Sequence, residues 1–225
     1  MKRTRKPRPE SAQKRLAILD AAARAIARHG FHGMSIRDLA AQTGQAVAGF
    51  YNYFSSKDEV LFEIQSSAFE TLIATAEEAL RGVESPSEQL FVFMYQHGRY
   101  VAEHPAVMRV LVQEAGTLPP KERAIVRRMK ERYYDLGRAI VARLYRPGPG
   151  DDADELERTT YGIFGMLNWV YGWYRPGRHG EPGQVARSLH RLAMSGLTGQ
   201  HEDTTNIERR LSLVAPLPLL GRGKS

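Results

Sequence analysis

A chain of 225 residues is long enough to bury a substantial core and could hold one large or two modest domains. It has no cysteine, which excludes disulfides, thiol nucleophiles and thiolate metal sites together and suits a reducing, cytoplasmic setting. Its net charge of +7 is carried by one end: residues 1–54 hold ten Lys or Arg against three acids, and the remainder is neutral.

Positive charge confined to one segment is the footprint of a polyanion-binding region. A membrane surface would attract it too, but residues 1–15 offer no bulky apolar anchors, and no signal peptide is expected. The longest uncharged run, the 16 residues 159–174, falls short of the roughly 20 that a membrane span needs. No membrane partner is therefore expected.

In chain order, residues 1–10 (MKRTRKPRPE) read as a mobile basic arm, too charged and proline-rich to fold. From Ser11 to Arg28, a first helix is expected to turn Leu16, Leu19, Ala23, Ile26 and Ala27 inward, with Gly30 ending it. Ser35 followed by Asp38 is a capping-box pattern, and Ile36, Leu39 and Ala40 share one helical face. Thr43-Gly44-Gln45 breaks the pattern at a residue free to take positive φ. Val47, Phe50 and Phe54 then recur at helical spacing, leaving Ala48, Gly49, Asn52 and Tyr53 on the opposite side. Two short helices joined by a glycine turn form the unit that lays its second helix in the DNA major groove, and the local charge favours that reading over an ordinary helical hairpin.

Ser55 and Ser56 before Lys57-Asp58-Glu59 cap a fourth helix running to about Leu80, with Leu61, Ile64, Ala68 and Leu72 on one stripe. Ser85-Pro86-Ser87-Glu88 starts a fifth, whose apolar face is Leu90, Phe93, Met94, His97 and Val101. Pro105 opens a short helix to Glu114, and Pro119-Pro120 a long one to Tyr145 with Ile125, Met129, Leu136 and Ile140 inward. Residues 146–152 are a loop. Asp154 to Tyr174 is apolar nearly all round, which implies burial on more than one side; Asn168 within it must find a partner in a dimer core or on a ligand. A last helix is expected from Pro182 to Leu197 with Val185, Leu189, Leu192 and Ala193 on one face, followed by a tail at 199–225 without a sustained period.

No segment alternates long enough to be a strand, so the expectation is all-α. Residues 11–57 read as a small basic bundle holding the helix-turn-helix, and 58–198 as a larger neutral one. The seven histidines show no paired metal spacing, and His97 with His104 reads as core or pocket lining. The terminal Gly221 to Ser225 lacks the earlier glycine and the following helix of a phosphate loop. No catalytic residue, metal or cofactor is expected.

With those residues in place, the chain resembles the tetracycline-repressor (TetR) family of bacterial transcription regulators. The resemblance is carried by Gly44, Tyr51-Asn52-Tyr53-Phe54 and Ser56-Lys57-Asp58 and is strongest from Gly30 to Leu61. It departs from the family pattern at Gln45, where an apolar residue is usual, and at Ala46, where a hydroxyl cap is favoured. The resemblance implies a homodimeric repressor on a palindromic double-stranded operator, released by a small-molecule effector, with 11–57 the DNA-binding domain and 58–198 the effector-binding and dimerisation domain. It further implies that Val47, Ala48, Gly49 and Asn52 face base edges beside Gln45 and Ala46, with Arg37 reaching a base or phosphate. Ser35, Tyr51, Tyr53 and Lys57 match positions that hold the sugar-phosphate backbone. By the same analogy the last two helices form the dimer bundle, with Ala186, Ala193 and Gly196 permitting close approach.

The effector cavity is expected among the middle helices, lined by Phe93, Met94, His97, Leu111, Tyr133, Phe164, Asn168 and Trp169. Residues 168–177, NWVYGWYRPG, are similar to the corresponding helix end of family members that govern fatty-acid or steroid catabolism and respond to acyl-CoA thioesters. That likeness implies an acyl-CoA or another largely apolar effector, with Arg99, Arg109, Arg138 or Arg175 available to CoA phosphates. A drug-efflux repressor sensing lipophilic compounds is the alternative within the family; an all-α enzyme or interaction module is the alternative outside it.

Overall fold

The computed structural model describes residues 9–148 and 151–198, so the expectations for residues 1–8 and 199–225 lie outside the described residues. The described elements, all helical, are α1 (Pro9–His29), α2 (Ile36–Gln42), α3 (Val47–Tyr51), α4 (Lys57–Ala79), α5 (Pro86–Glu103), α6 (Pro105–Gln113), α7 (Pro120–Leu144), α8 (Glu155–Trp173) and α9 (Pro182–Thr198). Side-chain caps mark the starts of α2, α4 and α5. Ser56 accepts the Glu59 N–H at α4, and Ser85 accepts that of Glu88 at α5 ahead of an N1 proline. Gly30 and Gly44 take φ of +74° and +69°, so the chain turns after α1 and after α2 at positions where a side chain would be strained.

Pro9 and Glu10, assigned above to the arm, are the first residues of α1. Proline is tolerated there because the first helical N–H groups have no partner to lose. The buried face of α1 is also wider than expected: Ile18, Leu19, Ala22, Ala23, Ala25 and Ile26 are buried, whereas Leu16 is exposed. The width follows from α1 packing against α2, α4 and α6 together. A single apolar cluster runs from Ile18 under the helix-turn-helix, through Val60, Leu61 and Ile64 of α4, to Phe93, Tyr133, Phe164 and Leu197.

In the larger bundle α4 and α5 pack on α7, and α5 packs on α8 and α9. The inner stripe of α7 is Val126, Tyr133, Gly137, Ile140, Val141 and Leu144; Ile125, Met129 and Leu136 flank it half-buried. The stripe rotates because Gly137 faces two aromatic rings. A Cβ there would lie 2.9 Å from Phe164 and 3.1 Å from Phe93. On α9 the inner residues are Val185, Ala186, Ala193 and Leu197, while Leu192 points outward at 63% exposure. Ala186 and Ala193 thus serve the packing of α9 within the chain, and only Gly196 of the three small residues is exposed.

Candidate DNA interface and effector site

The short α3 is positioned by aromatic anchors. Phe50 and Phe54 are fully buried with ring centroids 5.4 Å apart, and the Arg15 guanidinium lies 4.3 Å above the Phe54 ring. Arg15 also donates to the Tyr53 carbonyl and binds Glu63, which raises its pKa, so α1 clamps the end of α3 onto α4. Ala46 occupies the N-cap position in extended backbone and supplies no side-chain hydrogen bond. The helix is therefore fixed by packing of its buried side, in keeping with the departure noted at this position.

The opposite side is open. Val47 is 37% exposed and Tyr51 51%, and Ala46, Ala48 and Asn52 are exposed beside them; Gln45, Gly49 and Tyr53 are half-buried. Tyr51 is thus presented outward and does not pack in the small core. Arg37 at the start of α2 is exposed.

Two residues expected at the DNA backbone have partners inside the domain. Ser35 Oγ donates to Asp38 Oδ2 at 2.6 Å and accepts the Asp38 N–H at 3.2 Å, while its own N–H donates to the same carboxylate at 2.7 Å. These bonds hold the Asp38 carboxyl below its ordinary pKa. Lys57 Nζ donates to the carbonyls of Phe31 and Met34 at 3.1 and 3.0 Å and lies 4.3 Å from the centre of the Phe31 ring. An ammonium has three donors, so at most one remains for a phosphate. Lys57 first fastens the α1–α2 loop to α4.

In the larger bundle Phe93, Met94, His97, Tyr133 and Phe164 are buried at one centre. Phe93 stacks on Tyr133 at 5.1 Å and meets the edge of Phe164 at 5.8 Å. His97 Nδ1 lies 3.1 Å from the Tyr133 hydroxyl, whereas its Nε2 is buried without a partner among the described residues. Burial lowers the His97 pKa to about 4, so the ring is neutral near pH 7. The Tyr133 hydroxyl proton needs an acceptor and Nδ1 provides one; that assigns the ring proton to Nε2, an unmet donor.

Leu111 and Asn168 are half-buried. Trp169, expected in the cavity lining, is 64% exposed on the outer side of α8. Tyr161, Gly165, Trp169 and Trp173 follow one another at four-residue intervals on that side, all exposed. The all-round apolar character of α8 thus reflects two faces, one on α5 and one left outward. His104, paired above with His97, is exposed at the junction of α5 and α6 because the helix ends between them. Arg99 pairs with Glu103, and Arg175 donates to the Tyr174 carbonyl.

One coupling residue has no signature in the sequence. Glu114 at the end of α6 accepts the Phe31 N–H through its side chain and the Gln65 amide through its carbonyl. Such contacts across 83 and 49 residues leave no periodic trace. Among the described residues no group of three or more His, Asp or Glu is arranged to hold a metal, and no helix is long and apolar enough to cross a membrane.

Comparison with known proteins matches two segments of the chain. Residues 18–64 match the family model of bacterial regulatory proteins of the tetR family, and residues 83–197 match the tetracyclin repressor-like C-terminal domain. The chain is 28% identical to the HTH-type transcriptional regulator BetI of Agrobacterium fabrum over 164 residues, 70% of this chain and 75% of that protein. The crystal structure of the TetR family regulator PfmR from Thermus thermophilus is similar at 32% identity, covering 80% of this chain and 98% of that one with a TM-score of 0.69. AibR, solved in complex with isovaleryl coenzyme A and operator DNA, shares the fold at 23% identity, with 80% and 97% of the two chains covered and a TM-score of 0.68.

Proposed function

Because the chain belongs to the TetR family of bacterial transcription regulators, we propose that it acts as a homodimeric, cytoplasmic repressor that a largely apolar effector releases from a palindromic operator. The observation that carries the DNA reading is the two-sidedness of α3, with Phe50 and Phe54 buried behind it and Val47, Ala48, Tyr51 and Asn52 outward. In this reading Val47, Ala48, Gly49 and Asn52 meet base edges, flanked by Gln45 and Ala46. Asn52 suits adenine and Arg37 suits guanine or a phosphate; each good bidentate contact contributes about 1–3 kcal/mol of discrimination. Ser35, Tyr51 and Tyr53 set register on the sugar-phosphate backbone, and Lys57 supports them by holding the α1–α2 loop. Two-fold symmetry asks for half-sites about 34 Å apart or a multiple of that, so a small change in helix spacing forfeits one half-site.

For dimerisation we infer that α8 and α9 pack against their counterparts through Tyr161, Gly165, Trp169, Trp173, Leu192 and Gly196. Large apolar side chains exposed along one helix, as Tyr161, Trp169 and Trp173 are on α8, are what a soluble monomer avoids.

The effector reading rests on His97. An unmet donor at the centre of Phe93, Met94, Tyr133 and Phe164 suits a ligand that brings one hydrogen-bond acceptor in an otherwise apolar body. The carbonyl of an acyl thioester meets that description, and AibR supplies a protein of the same fold holding such a molecule. Lipophilic drugs are the rival class. A footprint on the chain's own upstream DNA, repeated with an acyl-CoA, the free acid and a lipophilic cation, tests both parts. Protection of a palindrome that the acyl-CoA abolishes supports the reading; release by the cation alone would sink the thioester assignment.

A further inference from the structure

We propose that the cleft between α1, α6 and α8 is an anion site that takes a phosphomonoester or diphosphate group of a small molecule, and that its occupancy sets how the DNA-binding helices sit against the larger domain. The cleft has a volume of about 240 Å³, and its walls include Arg24 and Arg28 of α1, Pro105, Ala106 and Arg109 of α6, and Tyr171 of α8. Three arginines from two helices line one concavity. Asp20 pairs with Arg24, but neither Arg28 nor Arg109 forms an ion pair among the described residues. Like charges gathered at a concave surface raise its potential, and an anion between them offsets the repulsion.

The α6 wall adds backbone donors. His104 caps this nine-residue helix without a side-chain hydrogen bond and Pro105 has no N–H, so the first free amides begin at Ala106, on the cleft. Guanidinium forks match phosphate oxygens in pairs, and two uncompensated positive charges suit a doubly charged group better than a single carboxylate. The volume lies below the roughly 300–1,000 Å³ of sites that engulf a drug-sized ligand. The cleft therefore holds the charged group and leaves the rest of the molecule outside.

The position gives the site its consequence. Arg24 and Arg28 ride on the helix whose Ile18, Leu19, Ala22 and Ile26 are part of the core beneath the helix-turn-helix. Arg109 rides on α6, whose far end is already tied to Phe31 through Glu114. An anion bridging Arg28 and Arg109 closes the second end of the same joint. It shifts operator affinity by as much as its own affinity differs between the free and the DNA-bound arrangement. This holds wherever the apolar part of an effector binds.

The test is calorimetric titration of the full chain with inorganic pyrophosphate at constant ionic strength, with acetate as the control anion. Arg28→Gln and Arg109→Gln are compared with the wild type and with Arg127→Gln, a surface arginine of α7 paired with Glu131. The wild type and R127Q are expected to bind pyrophosphate in preference to acetate, and R28Q and R109Q to bind it about 10-fold or more weakly. Saturating pyrophosphate is expected to change operator affinity in the wild type and not in R109Q. Absence of pyrophosphate binding, or equal binding by R28Q and R109Q, overturns the site. Loss of operator affinity in R28Q, with no pyrophosphate binding by the wild type, assigns these arginines to DNA instead. Binding that leaves operator affinity unchanged overturns the coupling.

Discussion

The side chain of Glu114 accepts the backbone N–H of Phe31 at 3.0 Å, joining the end of α6 to the loop that follows α1. Thr117 Oγ1 donates to the other carboxylate oxygen at 2.7 Å, and Gln65 of α4 donates to the Glu114 carbonyl at 2.9 Å. One residue thus holds the DNA-binding helices, the connecting helix and the larger bundle in register. Glu114→Ala removes the acceptor and leaves a part-buried N–H, which costs about 1–3 kcal/mol. Thermal melting is expected to show a modest loss. The diagnostic outcome is in gel shifts with effector: operator affinity near that of the wild type, with release requiring far more effector. A variant released as readily as the wild type would sink the coupling role.

Lys57 is a cation with two possible tasks. Were it only a phosphate contact, Lys57→Met would weaken binding to every sequence and reduce the dependence of affinity on salt by about one counterion. Its bonds to the Phe31 and Met34 carbonyls predict a different result. Losing charge-assisted hydrogen bonds of this kind costs about 1.5–3 kcal/mol each at most, so K57M is expected to melt several degrees lower, with a salt slope close to that of the wild type. An unchanged melting temperature together with a reduced slope would return Lys57 to the DNA backbone.

How much of this is legible in the sequence follows from which physics each feature uses. Caps at Ser35, Ser56 and Ser85 and the glycine turn at Gly44 are local chemistry, and they place the helix starts and the α2–α3 reversal. The inner face of α7 departs from the expected one because Tyr133 and Gly137 belong to the core, and the gap at Gly137 is what admits Phe164 and Phe93. Leu16, Leu192 and Trp169 are large apolar residues expected to face inward and yet lie outside. Periodicity reports that a residue is apolar, not which of two neighbours covers it. The Glu114–Phe31 bond and the arginine cleft join helices far apart in sequence, where no spacing rule reaches.

Ala46 offers a gain. It sits at the α3 N-cap with φ −64° and ψ 148°, the geometry in which a Ser or Thr hydroxyl accepts an N2 or N3 amide. Ala46→Ser is expected to stabilise the domain by about 0.5–1 kcal/mol, read as a higher denaturation midpoint at unchanged slope. If α3 orders further on DNA, the same substitution tightens operator binding in parallel. A stabilised variant with weaker binding would show instead that the alanine methyl itself faces the DNA.

The outward face of α8 and α9 predicts the assembly. Replacing Trp169 by Arg, or Leu192 by Glu, places a charge on a surface exposed at 64% and 63% in the single chain, so folding of each chain is expected to survive. Light scattering should report a monomer where the wild type is a dimer. Operator affinity should fall by about 100-fold or more as bivalent binding is lost. A dimeric W169R/L192E double variant would place the interface elsewhere.

His97 predicts how stability depends on pH. Burial lowers its folded pKa to about 4 from an ordinary 6.5. Between those values the unfolded chain binds a proton that the folded chain does not, so stability rises with pH through this window and is lost as pH falls from about 6.5 toward 4. The full span corresponds to about 3 kcal/mol. Asp38 and Glu59, whose pKa values are held low by bonds from Ser35 and Ser55, add losses at the acid end, so the informative quantity is a difference between proteins. His97→Gln keeps an acceptor for the Tyr133 hydroxyl and removes the titration. Urea denaturation at pH 7, 5.5 and 4.5 should then show the wild type losing stability faster than H97Q as pH falls. Because Nε2 is also the donor assigned to the effector, H97Q should require more acyl-CoA to release DNA at pH 7, where histidine charge plays no part. Parallel pH curves would remove the buried neutral histidine from the account, and unchanged release would remove it from the effector site.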